Sequence, residues 1–369
     1  MNWREVKLAE VCGFKTGKLN SNAAVPNGIY PFFTCAQETY YINEAAFDTE
    51  AVLLGGNNAN GVYPLKYYKG KFNAYQRTYV IEALDKDILN IKFVYYTLSL
   101  ALGIFQQESI GSITRYLTKP ILDNFPVKIP SLIEQNLIVG ILSNYDDLIQ
   151  TNQQRIMLLE EAAQRLYDEW FVKLRFPNYE QVPVADGVPE GWEKLAIDNI
   201  FTLQRGFDLP NNQRKEGSTP VYASTGLNGF HDQAMVDYPT VITGRSGSLG
   251  QVLYSRTPCW PLNTTLWVKD FKRTTPIHAF FLLKGLGLEG LNGGSAVPTL
   301  NRNDVHRIQI VAPNLPLILV FDQKVKPIFD QVDILSQQNQ KLMQARDDLL
   351  PRLMSGRLDV STLSAVGEE

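Results

Sequence analysis

The stretch GWEKLAIDNIF, residues 191–201, repeats in mid-chain the pattern of NWREVKLAEVC, residues 2–12. Placing Trp3 on Trp192 fixes an offset that continues to align residues of the same kind far beyond this stretch. The further matches are Val6 with Leu195, Leu8 with Ile197, Val11 with Ile200, Gly17 with Gly206, Pro31 with Pro220, Phe33 with Tyr222, Val52 with Val241, Gly55 with Gly244 and Gly61 with Gly250. Self-similarity at one offset indicates a tandem duplication.

Length and composition agree with two domains in a reducing compartment. The chain has 369 residues and 44% hydrophobic content, which is enough for two ordinary cores. Its three cysteines are scattered, without the spacing of a zinc site or a disulfide framework. No apolar run is long enough for a membrane span, and the N-terminus does not have the pattern of a signal peptide. We therefore expect a cytoplasmic protein with no membrane partner.

Each copy begins with a globular region that reads as mixed α/β. Short runs rich in β-branched and aromatic residues, separated by Gly, Asn and Pro, predict strands. One helix is predicted in each region, in FVYYTLSLAL and HAFFLLKGL. The predicted domains are a first globular domain at 1–130, a central helix at 131–175, a linker at 176–189, a second globular domain at 190–313, a C-terminal helix at 314–356 and a tail at 357–369.

The two long helices carry the heptad spacing of a coiled coil. One seam runs Leu142, Tyr145, Ile149, Asn152, Ile156, Leu159, Ala163, Leu166 and Trp170. The other runs Ile318, Phe321, Val325, Ile328, Val332, Leu335, Asn339, Leu342, Arg346, Leu349 and Leu353, with Pro327 expected to kink it or to start its main part. The predicted fold class is α+β, with two duplicated mixed α/β domains and two helices that pair as an antiparallel, pseudo-twofold coiled coil. The alternative is two helices that pack separately on their own domains.

The charge is distributed unevenly along the chain. Residues 1–130 carry 13 basic against 11 acidic side chains, and residues 189–313 carry 12 against 10. The helical segments are acidic, with 4 against 9 in 131–188 and 6 against 8 in 314–369. The formal net charge of -3 therefore hides two mildly basic globular regions. Phosphate binding depends on local clusters of cations, so the clusters must be located.

The stretch LKYYKGKFNAYQR, residues 65–77, interleaves cations with aromatic residues. Lys66, Lys69, Lys71 and Arg77 can neutralise phosphates, and Gln76 or Arg77 can reach base edges. The alternative is an ordinary hairpin with a solvated face. We take the corresponding region of the second copy to be NTTLWV, residues 263–268, which lacks cations. On this reading the two copies recognise different sequences.

Glycine-rich segments follow a predicted strand in both copies. In ITGRSGSLGQVLYS, residues 242–255, the glycine spacing is wrong for a dinucleotide site, and a strand follows where that site needs a helix. We read it as a hairpin that places Arg245, Ser246 and Ser248 near DNA. The equivalent GGNNANG, residues 55–61, offers Asn57, Asn58 and Asn60. The glycines themselves are equally well explained by tight turns.

A third pair of loops, GGSAVPTLNRNDV at 293–305 and IGSITRYLTKPIL at 110–122, leads into short helices. Thr299, Asn301 and Asn303 are candidate helix caps. Lys119 and Arg302 align in the repeat and are candidate phosphate contacts. Arg115 and Ser295 are placed to lie at a DNA groove.

Nothing in the chain predicts catalysis. Its three histidines have no paired nucleophile or metal-ligand spacing, and there is no phosphate-binding GxxxxGK[ST] loop. The [DNS]PP[YF] motif of methyltransferases that act on base amino groups is also missing. We therefore predict a binding protein rather than an enzyme, without a metal site.

The helix ends resemble a known family. EEAAQRLYDEWFVKLRFPNYE, residues 160–180, and DDLLPRLMSGRLDVS, residues 347–361, are similar to the central and C-terminal shared regions of type I restriction-modification specificity (S) subunits. The resemblance covers the whole chain in outline. It implies two target recognition domains that each read one half of a bipartite, asymmetric double-stranded DNA site, with the helices setting the distance between the halves.

The resemblance also implies partners that carry the chemistry. Two methyltransferase subunits would bind S-adenosylmethionine and methylate adenine N6, and restriction subunits, where present, would use ATP and Mg²⁺. No cofactor would bind this chain. The implied docking surface lies near the helix ends and includes the candidates Tyr167, Trp170, Phe171, Leu349 and Leu353. Packing inside the chain is the alternative role for each of these side chains.

Two other classes of protein stay open. An enzyme that fuses specificity to methylation needs a cofactor-binding domain, for which the length leaves no room beside the duplication. A coiled-coil scaffold or inhibitor would have no DNA sequence preference. Steep salt dependence together with a sequence-specific component distinguishes a specificity subunit from such a scaffold.

Overall fold

The computed structural model describes residues 3–58, 61–111, 114–294 and 297–360. Contacts divide the chain into two compact units. The first unit holds the residues up to Asn152 together with those from Gln338 onward, and the second holds Gln153–Gln337. Each unit therefore includes a part of both long helices.

The elements of the first unit follow the predicted mixture of strands and one main helix. In chain order they are β1 (Arg4–Lys7), α1 (Leu8–Val11), β2 (Cys12–Thr16), β3 (Tyr30–Phe33), β4 (Tyr40–Ile42), β5 (Phe47–Gly55), β6 (Asn57–Asn58), β7 (Leu65–Ala74), β8 (Thr78–Ala83), α2 (Ile91–Glu108), β9 (Arg115–Tyr116), α3 (Lys119–Asp123), β10 (Pro126–Ile129) and the beginning of α4 (Leu132–Tyr167).

The second unit begins with the end of α4, which continues into a π-helical turn at Asp168–Val172. The elements that follow are β11 (Val184–Ala185), β12 (Val188–Pro189), β13 (Glu193–Ala196), β14 (Phe201–Arg205), β15 (Thr219–Ala223), β16 (Gly226–His231), β17 (Thr240–Gly244), β18 (Val252–Ser255), β19 (Trp260–Pro261), β20 (Thr265–Phe271), α5 (Pro276–Gly285), α6 (Arg302–His306), β21 (Gln309–Ala312) and α7 (Leu315–Met354), whose last part belongs to the first unit.

The sheet topology confirms the duplication. In the first unit the strand order β2-β8-β5-β7-β3-β4 forms one sheet. In the second unit the same succession appears as β14-β20-β17-β18 and β16-β15-β19. Both units also pair their first strand with their last, as β1 with β10 and as β13 with β21. The α+β class and the tandem repeat predicted from sequence are therefore correct.

Strand order corrects one detail of the predicted alignment. The counterpart of β7 is β18 together with β19, whereas NTTLWV leads into β20, the counterpart of β8. Pro258 interrupts the backbone between β18 and β19, since proline cannot donate to a strand ladder. The cation in this segment is Arg256, which forms ion pairs with Asp330 and Asp333 of α7. Arg256 thus anchors the domain to the helix.

Two glycines matched in the repeat share one physical reason. A Cβ on Gly17 would lie 1.6 Å from the carbonyl oxygen of Ala74, and one on Gly206 would lie 2.2 Å from that of Leu262. Real side chains never approach a backbone this closely. Each glycine therefore allows the chain to pass against a neighbouring strand at the same point of the fold.

Helix α4 begins where its sequence sets a cap. The Glu134 backbone N–H donates to the Ser131 hydroxyl oxygen at 3.3 Å, and the Ser131 backbone N–H donates to the Glu134 carboxylate at 3.1 Å. This reciprocal pairing satisfies donors that the first helical turn leaves free. Helix α7 starts at Leu315 and runs through Pro327 to Met354, so Pro327 does not start a separate helix.

In the first unit the two helices pair in antiparallel fashion. The Asn152 amide donates to Asn339 Oδ1 over 3.0 Å, and Asn339 Nδ2 donates to the carbonyl of Ile149 over 3.3 Å. Towards the other end, Arg346 binds Asp146 at 2.7 Å. Asn152 and Asn339 are only 2% and 5% exposed. The seam asparagines therefore form a buried polar pair, which fixes the register as predicted for such residues.

Breaking this pair should destabilise the first unit. Replacing Asn339 with leucine leaves the Asn152 amide buried without its partner, and we expect a loss of about 1–3 kcal/mol in the free energy of unfolding. Replacing both asparagines with leucine should recover most of that loss, because no polar group is then left unpaired. Denaturant titration of the wild type, both single variants and the double variant measures the coupling. A double variant that is less stable than either single one would contradict the pairing.

In the second unit the helices pack around a large aromatic core. Tyr167 of α4 stacks on Phe281 of α5 with ring centroids 5.4 Å apart, and Phe321 of α7 lies within 6.0 Å of Tyr167. Phe329 is buried, while its neighbour Ile328 is only partly so. The predicted seam is therefore displaced by one residue at this position of α7, where the helix also contacts α5.

Candidate nucleic-acid interface

In the first unit three separate segments meet at one edge of the domain. Strand β6 pairs with β9 so that Asn57 faces Tyr116 and Asn58 faces Arg115. The N–H of Gly56 donates to the carbonyl of Arg77 at 2.7 Å. These bonds join the glycine-rich segment, the turn before β8 and the strand before α3.

Their side chains form what we call the first basic edge, defined by Asn57, Asn58, Arg77, Arg115 and Tyr116. The Arg77 guanidinium lies over the Tyr116 ring, 5.2 Å from its centroid. Arg115 Nη1 donates to the carbonyl of Gln106 at 2.9 Å, which directs the guanidinium. Asn57 Oδ1 is buried and has no hydrogen-bond partner among the described residues. Two fixed guanidiniums and two amides are the groups that read base edges in DNA.

Lys66 of strand β7 forms hydrogen bonds within its own domain. The ammonium of Lys66 donates to the carbonyl of Glu38 at 2.8 Å and to the Thr39 hydroxyl at 3.1 Å. Burial of this group lowers the pKa of Lys66. Lys66 therefore anchors its own loop, and its role as a phosphate contact stays a prediction.

The other candidates around β7 are exposed. Lys69 lies 3.6 Å from the Glu50 carboxylate, and Lys71 faces Asp48 across the β5–β7 ladder. Gln76 Nε2 donates to Asn20 at 2.9 Å. Lys69 is compensated by a carboxylate on the neighbouring strand, as in an ordinary hairpin with a solvated face, and Lys71 lies opposite another acidic residue in the strand register. Arg77 is the cation of this stretch that lies at the first basic edge.

In the second unit the equivalent segments meet in the same way. The N–H groups of Arg245 and Ser246 donate to the carbonyl of Thr264 at 2.8 and 3.1 Å. The N–H of Leu300 donates to the carbonyl of Arg245 at 2.8 Å. Strands β17 and β18 pair as the predicted antiparallel hairpin, with Gly247 and Gly250 in the left-handed region that favours glycine. The turn explanation of these glycines is thereby confirmed.

These segments carry the second basic edge, defined by Arg205, Arg245, Ser246 and Arg302. The three arginines line one cavity of about 450 Å³, together with Leu266, Thr299, Leu300 and Asn301. Arg245 is half-buried and Nη1 donates to the carbonyl of Asn263 at 3.2 Å. Ser248 is exposed beyond this edge. Asn60 and Ser295, also predicted at these loops, lie outside the described residues.

The aligned pair Lys119 and Arg302 differ in their surroundings. Each is the first residue of a short helix, α3 or α6. Lys119 forms an ion pair with Asp123 at 2.7 Å and lies over the Phe14 ring, so its charge is compensated. Helix α6 is capped by Asn301, whose side chain accepts from the Asn303 N–H at 3.0 Å. Of the three predicted caps, Asn301 fills the position.

Two residues of these edges were missed from the sequence. Tyr116 follows the candidate Arg115 directly, and its ring holds Arg77. Arg205 stands immediately before Gly206, a glycine that the repeat had already marked. The available signal was a cation or an aromatic residue next to a position matched in the repeat. For Arg205 this signal was weak, because the aligned residue of the first copy is Thr16.

The candidate docking residues are mainly core residues. Tyr167 is 5% exposed, Trp170 is 8% exposed and Leu353 is fully buried. Phe171 and Leu349 are partly buried against the same cores. Packing inside the chain, the stated alternative, is observed for Tyr167, Trp170 and Leu353, whereas Phe171 and Leu349 keep part of their surface exposed. Val172 in the π-helical turn is 65% exposed and presents apolar surface at this helix end.

A buried histidine lies in the core of the second unit. His278 of α5 is buried between Tyr167 and Phe171, and the nearest polar side chain is the Thr274 hydroxyl, 2.7 Å from Nδ1. Burial lowers the pKa of His278 to about 3. The imidazole is therefore neutral at physiological pH, as a structural core residue.

Two negative findings apply to the described ranges. No helix there is both long and apolar enough to cross a membrane. No cluster of three or more His, Cys, Asp or Glu side chains is arranged to hold a metal ion.

Comparisons with known proteins agree with this architecture. The chain is similar to the type I restriction enzyme EcoDI specificity subunit of Escherichia coli, with 26% identity over 92% of this chain and 84% of that protein. It is also similar to the MjaIX specificity subunit of Methanocaldococcus jannaschii, with 26% identity over 76% of this chain and 72% of that protein.

A solved structure shows the same fold. The S subunit of a type I restriction-modification system from M. genitalium matches with a TM-score of 0.63 and 19% identity, over 95% of this chain and 96% of that one. The family model described as "Type I restriction modification DNA specificity domain" matches residues 1–161 and again residues 189–345. Since these two matches cover most of the chain and coincide with the two repeats, the chain belongs to the family of type I restriction-modification DNA specificity proteins.

Proposed function

We propose that this chain directs a type I restriction-modification complex to a bipartite, asymmetric DNA sequence, and that each repeat reads one half of it. The observation that carries this proposal is the pair of basic edges. Equivalent backbone segments build both edges, but the side chains differ, with asparagines, arginines and a tyrosine in one and three arginines in the other. Different side chains at equivalent places would make different contacts with the two half-sites.

The helices would set the distance between the two half-sites. A helix pair is a stiff spacer, since each residue adds about 1.5 Å along a hydrogen-bonded axis. The buried Asn152–Asn339 pair supports one defined register in the first unit. The acidic character of both helical segments keeps them away from DNA phosphates and leaves the basic edges as the binding surfaces.

We further propose that methyltransferase subunits dock near the ends of the helices. In the second unit an apolar cavity of about 390 Å³ is lined by Phe171, Val172 and His278 beside the π-helical turn. An open apolar cavity beside an exposed Val172 suits an apolar side chain from a partner. Restriction subunits would join the same complex.

In this proposal the chain is non-catalytic and works in the cytoplasm. The methyl donor S-adenosylmethionine would bind the methyltransferase subunits, which flip an adenine and methylate its N6. ATP and Mg²⁺ would bind restriction subunits. The contribution of this chain is to hold DNA in register by its cations, amides and helix pair.

Arg77 provides the most direct test in the first unit. Replacing it with alanine removes the guanidinium over Tyr116, and we expect the complex to bind its target about 5- to 150-fold more weakly, the range of about 1–3 kcal/mol for a base contact. The control is Lys86→Ala, which removes one exposed charge beyond the far end of β8. Equal affinities for the two variants, measured by titration of labelled DNA, would remove Arg77 from the interface.

Salt dependence distinguishes this function from that of a scaffold. A specificity subunit in its complex should lose affinity steeply as salt rises and should prefer its target over unrelated DNA by orders of magnitude. Binding that is insensitive to both salt and sequence would favour the scaffold.

A further inference from the structure

The second basic edge places three guanidiniums around one cavity. Arg205 ends strand β14, opposite Leu266 of β20, and Arg245 follows β17, the strand on the other side of β20. Arg302 begins helix α6, which is tied to β14 by the Leu203 N–H donating to His306 Nε2 at 2.9 Å. The fold of the second unit thus determines where all three cations lie.

The charge balance of this cavity is unusual. None of the described residues that line it carries a carboxylate. Arg205 forms an ion pair at 3.3 Å with Asp208, which lies outside the cavity lining, so its charge is partly compensated, whereas Arg245 donates to a neutral carbonyl. For Arg302 the described structure gives no carboxylate partner, and its side chain is exposed. Cations that line one cavity together, without a carboxylate in its described lining, would bind an anion favourably.

We infer that Arg205, Arg245 and Arg302 form an anion site that holds a single phosphate group. Guanidiniums bind phosphate through paired N–H donors in a planar fork, and several of them can share one phosphate. Within the proposed function, on which this step rests, the phosphate belongs to the DNA backbone beside the half-site read by the second repeat. The contact positions that repeat on the duplex and carries no sequence information of its own.

The first repeat lacks such a site. The position of Arg205 is taken by Thr16 and that of Arg245 by Gly56, while Lys119, aligned with Arg302, is paired with Asp123. The two repeats would therefore differ in their contacts with the DNA phosphate backbone as well as in their contacts with bases. Among the described residues of the two basic edges, only those of the second repeat form this anion site.

The first test uses inorganic phosphate and the full-length chain. At constant ionic strength, phosphate should raise the Tm of the wild type by a few degrees relative to chloride, because it binds only the folded state. Arg302→Gln should abolish this rise while leaving the Tm in chloride unchanged, since Arg302 supports no described ion pair. Arg205→Gln is the second variant, and Lys269→Ala, an exposed charge of β20 that does not line the cavity, is the control.

The second test identifies the source of the phosphate. In complex with the methyltransferase, Arg302→Gln should reduce the slope of log affinity against log salt by about 0.9, the value for one released counterion, with the same target sequence methylated. Phosphate protection without a change in slope would mean a free phosphate and would overturn the DNA assignment. A changed target sequence would mean base reading and would overturn the phosphate role.

No protection and no change in slope would remove the site altogether. Each of these failures leaves sequence-specific methylation by the wild type intact. Loss of the proposed function itself would instead appear as the absence of any methylation motif that depends on this chain.

Discussion

Replacing Phe321 with alanine is expected to lower the free energy of unfolding of the second unit by about 3–5 kcal/mol, the usual cost of removing a fully buried phenylalanine. Phe321 is fully buried, and its ring lies 5.1 Å from Phe171, 5.7 Å from Phe281 and 5.8 Å from Trp170. Its removal leaves a cavity where α4, α5 and α7 meet, which these large rings cannot fill by small movements.

The matched control is Leu319→Ala on the same helix. Leu319 is 48% exposed, so its truncation should change stability by well under half as much. Thermal and denaturant unfolding of both variants measure the difference. If Phe321→Ala were no less stable than Leu319→Ala, the helix packing described for the second unit would be wrong. If it is as expected, binding to the second half-site should weaken too, because the recognition strands rest on this core.

Acid should weaken the second unit through His278. In the unfolded chain this histidine binds a proton near its ordinary pKa of 6.5, whereas in the folded state its pKa is about 3. Between these values the unfolded state holds more protons, so stability is fully present above pH 6.5 and falls as the pH drops towards 3. Between pH 7 and pH 5, the titration of His278 should lower the free energy of unfolding by about 2 kcal/mol.

The test compares the wild type with His278→Phe. The aligned residue of the first repeat is Phe93, so phenylalanine is already accepted at this position of the fold. The stability of the variant relative to the wild type should rise by about 2 kcal/mol between pH 7 and pH 5. Asp322, whose pKa is raised to about 6 by burial, acts in the opposite direction, but it is present in both proteins and largely cancels. A pH-independent difference would contradict the assignment of a neutral, buried His278.

The architecture could be predicted because its signals are local or periodic. The offset of Trp3 on Trp192 located the duplication, and the heptads located both helices. The seam asparagines were recognised as register residues, and Asn152 and Asn339 indeed meet. Such features depend on residue type and spacing, which a single sequence displays directly.

The interface could be predicted only in part, because it depends on which groups meet across distant segments. Lys66 and Arg77 look equivalent in sequence, yet the Lys66 ammonium is occupied by the carbonyl of Glu38 while Arg77 lies over Tyr116. Arg205 is isolated in sequence, yet the order β14-β20-β17 brings it to the cavity of Arg245. Strand order and register determine which distant side chains come into contact, and no local sequence pattern encodes that register.

The apolar helix ends illustrate the same point. Tyr167, Trp170 and Leu353 have the residue types of a docking surface, but in the structure they are buried in hydrophobic cores. A hydrophobic side chain at a helix end reads alike in sequence whether it faces a core or a partner. Burial alone separates the two roles.

The central claim is that each repeat specifies one half of a split DNA site, and methylome sequencing tests it most directly. A host that expresses this chain with its methyltransferase subunit should contain N6-methyladenine in one bipartite, asymmetric motif that is missing with the methyltransferase alone. Exchanging residues 1–130 for those of a related chain should alter only one half of that motif. Stable assembly of the two proteins without new methylation, or an exchange that alters both halves, would contradict the claim.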